Sequence, residues 1–332
     1  MPATGDEGFR RLFARPLVVL APMEDVTDAV FRALCRRLGA DLCFTEFVNV
    51  EGLLRGCRRA RRKMTLGPED QPTAIQIYGA DAGRLCEAAE AAAQAGAAFV
   101  DINCGCSVAK IARRGAGSGW LRDPRALAAM AALVVRAVSV PVTVKTRVGM
   151  GTEPEMPIVD LARRLEDAGV RALSLHCRTV QAGLSGRADW SWAARAQAAV
   201  RMPVIVNGDI RSAEDARRAL AETGCAGVMV GRRAIEHPWI FREARALLER
   251  GEIVPAPSVA ERLALCREHL AANHAARGEP WGVRVTRRHL AGYLRGLPGA
   301  ARLRQRLFAC DALDGCLAIL AEASLRLGSP GP

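Results

Sequence analysis

Four apolar runs in this chain end the same way, each breaking abruptly into a polar cluster, and this repeat constrains the fold more than any other feature. Ala97-Ala98-Phe99-Val100 gives way to Asp101-Ile102-Asn103-Cys104-Gly105-Cys106. Pro141-Val142-Thr143-Val144 gives way to Lys145-Thr146-Arg147, and Ala172-Leu173-Ser174-Leu175 to His176-Cys177-Arg178-Thr179. Val204-Ile205-Val206 ends in Asn207-Gly208-Asp209. Strands covered on both faces read as continuous apolar runs. Polar groups gathered at the carboxyl ends of such strands are how an α/β barrel assembles one shared site.

Candidate strands fall at 17–21, 41–45, 73–77, 98–102, 141–146, 172–176, 203–207 and 226–230. Helix-period segments lie between them at 27–38, 81–95, 124–138, 157–168, 190–200 and 213–222. Thr27 or Asp28, Asp81 and Ser212 are placed to cap helices, and Gly39, Gly96 and Gly169 to end them. About eight strand–helix units in roughly 240 residues predict a TIM (β/α)8 barrel. A doubly wound sheet is the rival, weakened because no Gly-x-Gly-x-x-Gly follows the first strand. Beyond about residue 242 the strand pattern stops, and Pro255, Pro257 and Ser258 read as a linker. From Val259 to Leu327 the period is helical, with breaks at Gly278-Glu279-Pro280 and Gly296-Leu297-Pro298-Gly299. The expected organisation is a catalytic barrel over 1–242, a linker over 243–258 and a small all-helical domain over 259–332.

Composition narrows the class. Half of the 332 residues are apolar and only 5% are aromatic, so the core is aliphatic. The formal net charge of +12 points to a polyanionic partner, most often nucleic acid. The 11 cysteines are odd in number and scattered, which suits reduced thiols better than a disulfide framework. Cys104-Gly105-Cys106 is too short for zinc-finger spacing, and no metal site is expected. The segment Met1–Pro16 has no long apolar core, so no signal peptide is expected, and no run is long enough to span a bilayer.

The strand-end clusters suggest chemistry. Lys145, Arg147, His176 and Arg178 bring positive charge to the barrel mouth. Loops after strands seven and eight of a TIM barrel bind phosphate through backbone N–H groups, so Asn207-Gly208-Asp209 and Gly231-Arg232 predict a phosphate-bearing cofactor. Lys145 sits inside a strand, partly desolvated, where it suits Schiff-base chemistry or stabilisation of an anionic ring. Cys106, in a glycine-flanked loop at the catalytic end, is the candidate reactive thiol. In extended geometry Cys104 shares its face, so Cys104 stays open as an alternative.

These segments together resemble the tRNA-dihydrouridine synthases, most nearly the bacterial B-type. The resemblance is carried by Ala21-Pro22-Met23-Glu24-Asp25-Val26-Thr27-Asp28 with Phe31-Arg32, then Thr45-Glu46-Phe47-Val48 and Gln76-Ile77-Tyr78-Gly79. Asp101-Ile102-Asn103 with Gly105-Cys106 and Lys110 is similar to the family's catalytic loop, and Gly115-Ala116-Gly117 follows. The Lys145, His176, Gly186-Arg187-Ala188-Asp189-Trp190, Asn207 and Gly231 segments continue it through the barrel. Arg288-His289-Leu290 and Tyr293-Leu294-Arg295-Gly296 extend it into the helical region. One departure stands out: Ser107 occupies the place where the family usually has Pro, which leaves the loop freer.

The resemblance implies an FMN enzyme that reduces the C5–C6 bond of uridines in tRNA, with NADPH (or NADH) as reductant. It implies that Ala21, Pro22 and Met23 line the flavin ring, and that Gln76 and Lys145 contact it. His176, Asn207, Gly208, Asp209, Gly231 and Arg232 are implied to hold ring and phosphate. Cys106 is implied to donate the proton to C5, and Asn103 to orient the uracil. Substrate contacts are also expected from Arg147 and Arg178, and from Arg284, Arg287, Arg288 and Arg295. The last four lie in a stretch, Trp281 to Cys310, without any Asp or Glu. A cytoplasmic monomer is expected, with tRNA as partner and neither DNA nor membrane. Two other readings compete: a flavin barrel acting on a free pyrimidine, as dihydroorotate dehydrogenases do, and an RNA-binding protein without catalysis.

Overall fold

The protein is described by a computed structural model that covers residues 6–152 and 156–328. It divides into two compact units, residues 1–231 and 232–332.

The first unit is a closed parallel barrel. Its strands are β1 (Leu17–Leu20), β2 (Leu42–Phe44), β3 (Val48–Asn49), β4 (Thr73–Tyr78), β5 (Phe99–Cys104), β6 (Val142–Arg147), β7 (Ala172–His176), β8 (Val204–Asn207) and β9 (Gly227–Val230). Pairing runs β2-β1-β9-β8-β7-β6-β5-β4, and a β2–β4 pairing closes the ring. β3 pairs only with the end of β4. The eight expected strands and six expected barrel helices are all present, with ends shifted by at most two residues. Local chemistry sets the helix starts: Asp28 accepts from the amide of Phe31 at 2.9 Å, Asp81 from Arg84 at 2.9 Å and Ser212 from Asp215 at 3.1 Å.

The barrel interior is filled at its amino end by Leu17, Val19, Phe44, Phe99, Ile205 and Met229. Phe9, from the helix Asp6–Leu12, joins them, its ring 5.4 Å from that of Phe99 and set edge-on. Such a contact adds about 0.5–1.5 kcal/mol beyond burial. Water is thereby kept from the floor of the barrel, and the polar residues lie further along the strands.

Arg32, at 1% exposure, anchors the first barrel helix. It donates from Nε and Nη2 to Asp70 at 2.9 and 2.6 Å, and to the carbonyls of Thr27 and Thr65, both at 2.7 Å.

Among the described residues the regular elements of the second unit are all helices: Arg232–Glu236, Ile240–Arg250, Val259–Arg277, Trp281–Tyr293, Ala300–Ala309 and Leu313–Gly328. The helix 240–250 runs past residue 242, and the longest described stretch of this unit without helix or strand is 251–258. Ser258 and Glu261 form a reciprocal cap on the next helix. Among the described residues no helix is long and apolar enough to cross a membrane.

Candidate active site

Strand register builds the site. Gln76 on β4 lies beside Asp101 on β5, and Asp101 beside Thr143 on β6. One step further along, Asn103 pairs with Lys145, and Arg147, His176 and Asn207 lie in line across β6, β7 and β8. Period-2 alternation puts these side chains on one face of their strands, above the apolar floor.

A cavity of about 220 Å³ opens there, lined by Pro22, Phe47, Asn103, Gly105, Cys106, Ser107, Val108, Lys145, Arg147 and His176. Cys106 lies just past the end of β5 and is half-buried, whereas Cys104 is fully buried within the strand. Burial pushes the Cys106 thiol up, against the lowering pull of the Val108 amide and Arg147. Burial, with Asp101 nearby, pushes the Cys104 thiol up much further, which keeps it an inert packed group. Of the two cysteines, Cys106 lines the cavity and Cys104 does not.

The loop bearing Cys106 is held on several sides. The amides of Gly105 and Cys106 donate to Asn103 Oδ1 at 3.2 and 3.0 Å. Arg147 donates to the carbonyl of Gly105 at 3.0 Å, and to those of Thr179 and Gly183 at 2.9 and 2.8 Å. A Cβ on Gly105 would sit 3.2 Å from the backbone of Thr146, so glycine lets the loop lie close against β6.

Lys145 donates to Asn207 Oδ1 at 3.2 Å, and Asn207 in turn donates to the carbonyl of Met229 at 2.8 Å. Burial first, then the neighbouring Arg147, bring the Lys145 ammonium down to about 8. His176 is held neutral by burial and by Lys145, Arg147 and Arg178, its value falling to about 2. Arg178 can only donate, so its contact with His176 Nε2 at 3.4 Å leaves the imidazole proton on Nδ1.

Several residues expected to reach a ligand are engaged within the protein. Arg178 donates to both oxygens of Asp209, at 2.8 and 2.7 Å, and to the carbonyls of Ser185 and Gly186. Burial works against the Asp209 charge, but Arg178, the Ala188 amide and Arg211 outweigh it and hold the carboxyl at about 2. Asp209 therefore shapes its turn through Arg178 and the Ala188 amide. Gly208, at φ +119°, brings that turn against His176, where a Cβ would lie 3.2 Å from Cδ2. Ala21 donates to the carbonyl of Val230 at 2.9 Å, Met23 donates to Thr27 Oγ1 at 3.1 Å, and Pro22 alone of the three lines the cavity. Gly231 ends the first unit, and Arg232 opens the helix Arg232–Glu236.

In the second unit, Arg284 and Arg287 both pair with Asp311, at 3.0 and 2.6 Å. Arg295 pairs with Glu236 at 2.8 Å. Arg288 is exposed, and among the described residues no acidic group pairs with it. The acid-free stretch is thus partly neutralised by acids just outside it or far away in sequence.

Sequence reading missed the clamp formed by Arg147, the alignment of Asp101 with Gln76, and a basic helix, Arg58–Lys63, beside the mouth. Lys63 from that helix sits 5.5 Å from the Phe47 ring centre and pairs with Glu24. Glu24, Asp25 and Glu46 bring carboxylates within 4.8 Å of one another, and Arg59 and Lys63 meet the charge of the first two.

The donors that line the cavity suit a flat, acceptor-edged ring. Lys145 has further N–H groups beyond the one given to Asn207, and the cavity lining mixes apolar Pro22, Phe47 and Val108 with polar Asn103, Lys145, Arg147 and His176. FMN matches that pattern of donors.

The dihydrouridine synthase family model matches residues 19–327. The chain is 42% identical over 287 residues to a tRNA-dihydrouridine synthase B of Pseudomonas aeruginosa, covering 86% of each chain. It is 41% identical to a probable tRNA-dihydrouridine synthase 1 of Synechocystis, over 90% of this chain and 83% of that one. A tRNA-dihydrouridine synthase B of Xanthomonas axonopodis is 39% identical, over 92% and 91%.

Proposed function

We propose a function from one premise: the chain belongs to the dihydrouridine synthase family. It reduces the C5–C6 double bond of uridines in tRNA to 5,6-dihydrouridine. FMN, when bound, would supply hydride chemistry at C6, with NADPH as the reductant. Lys145, His176, Asn207, Gly208 and the Gly231-Arg232 turn are the residues assigned to hold it, with Pro22 against the ring; Gln76, expected from sequence to contact it, is wholly buried with both ends of its amide engaged by Asp101 and Asn103.

The protein's own residues manage the proton and the pose. Negative charge left at C5 and O4 needs a general acid on the face opposite the hydride donor. Cys106 is that acid. Its thiol is raised by burial, so it carries its proton at neutral pH. Asn103 orients the uracil. Lys145 offers positive charge to the reduced ring, and its value of about 8 keeps it charged at neutral pH. A uridine in folded tRNA must leave its stack, at a cost of a few kcal/mol, and this needs contacts beyond the pocket. Arg288 on the exposed helix is one candidate for them.

One observation carries this reading: the half-buried Cys106 shares a single cavity with Asn103, Lys145 and His176. The test is purified protein with NADPH and an unmodified tRNA transcript. A flavin absorbance band and dihydrouridine in the transcript are expected, with free uridine left untouched. Turnover of a free pyrimidine with inert tRNA would favour the rival flavin-barrel reading. Absence of flavin would favour the non-catalytic one.

A further inference from the structure

The Cys106 loop ends a line of hydrogen bonds that starts deep in the barrel. Thr143 Oγ1 and Gln76 Nε2 each donate to Asp101, at 2.6 Å in both cases. Gln76 Oε1 accepts from Asn103 Nδ2 at 2.8 Å. Asn103 Oδ1 then accepts from the amides of Gly105 and Cys106. Asp101 and Gln76 are wholly buried, so no solvent competes for these groups.

The line has a direction. Burial raises the Asp101 carboxyl to about 6, so at neutral pH and above it is mostly ionised and only accepts, and Gln76 must turn its NH2 toward it. Its oxygen then faces Asn103, which must answer with its own NH2. That leaves the Asn103 oxygen for the loop amides. Turning either amide would set donor against donor or acceptor against acceptor in a buried place, which is costly.

We propose that Asp101 is a positioning residue, which sets the polarity of the Gln76–Asn103 amide relay and thereby holds Cys106 at the barrel mouth. The inference rests on Cys106 being the working thiol of the proposed reaction. Its test reads the position of that thiol with no substrate present, so it stands or falls apart from the uridine chemistry.

The test is alkylation of Cys106 by iodoacetamide in the full-length protein as purified, followed by peptide mass spectrometry, with exposed Cys57 as internal reference. In Asp101→Asn the buried end offers both a donor and an acceptor, and the relay loses its fixed direction. Cys106 alkylation relative to Cys57 rises about five- to thirtyfold, the factor expected when one or two buried hydrogen bonds are lost. The double variant Asp101→Asn/Asn103→Asp reverses the polarity. Its carboxylate accepts from the Gly105 and Cys106 amides and from Gln76, while Gln76 accepts from the new amide at position 101. The ratio returns to within about twofold of the original, since every partner is again satisfied. An unchanged ratio in folded Asp101→Asn overturns the proposal, as does a double variant no better than the single one. If neither variant folds, Asp101 determines barrel stability and not loop position, and the proposal is also overturned.

Discussion

Arg147 Nε donates to the carbonyl of Gly105 at 3.0 Å, so the end of β6 holds the loop that carries Cys106. The same guanidinium reaches the carbonyls of Thr179 and Gly183, tying that loop to the segment after β7. A residue read from sequence as a substrate contact thus acts on backbone. Replacing Arg147 by Lys removes the planar fork and leaves carbonyls unmet. Dihydrouridine formation is expected to fall about 10- to 100-fold, as small misplacements do. Stability falls by about 1–3 kcal/mol. Single-turnover assays and urea denaturation separate the two effects, and turnover equal to the parent protein would remove Arg147 from this role.

Lys145 carries the pH dependence. Its value is lowered to about 8 by burial and by Arg147, so the ammonium is charged below that pH and neutral above it. The chain has only three lysines, Lys63, Lys110 and Lys145. Carbon-13 NMR of reductively methylated protein should therefore resolve one lysine titrating near 8, absent from Lys145→Gln. Three lysines all titrating at the ordinary value would refute the desolvated site.

The ion pair of Arg32 with Asp70 tests the frame that supports the mouth. Both side chains are 1% exposed, and Arg32 also holds Thr27 and Thr65. Asp70→Ala leaves a buried guanidinium uncompensated, and a loss of about 3–5 kcal/mol is expected in chemical denaturation. A loss under 1 kcal/mol, on the order of a surface pair, would mean that solvent reaches this pair.

For RNA, the arginines differ. Arg284, Arg287 and Arg295 are already matched by Asp311 and Glu236, whereas Arg288 is exposed. Arg288→Glu should weaken tRNA binding and lower the salt slope by about one. Arg295→Ala should change the slope less. Fluorescence anisotropy across a salt series reads both. Equal slopes for parent and Arg288→Glu would place the RNA path elsewhere.

Much of this was legible in the chain itself. Apolar runs such as 204–206 locate the eight strands that close the ring, because a buried parallel strand has no polar face to confuse the reading, whereas the two-residue β3 was missed. Asp28, Asp81 and Ser212 marked real helix starts, since capping is local chemistry. What escaped depends on partners distant in sequence. Phe9 fills the floor only because the helix Asp6–Leu12 lies under Phe99. Arg178 turns to Asp209, 31 residues away, and Arg295 to Glu236, 59 away, and no periodicity encodes such pairs. Cys104 and Cys106 share a parity, so only the point where β5 ends separates them.

The central claim is that the thiol of Cys106 delivers the proton to C5. The most direct measurement compares the parent protein with Cys106→Ala on an unmodified tRNA transcript, following dihydrouridine and NADPH oxidation together. The variant should keep its flavin and oxidise NADPH at the parent rate, while dihydrouridine formation falls about a hundredfold or more, the contribution of a positioned general acid. Parental dihydrouridine yield from Cys106→Ala would contradict the account.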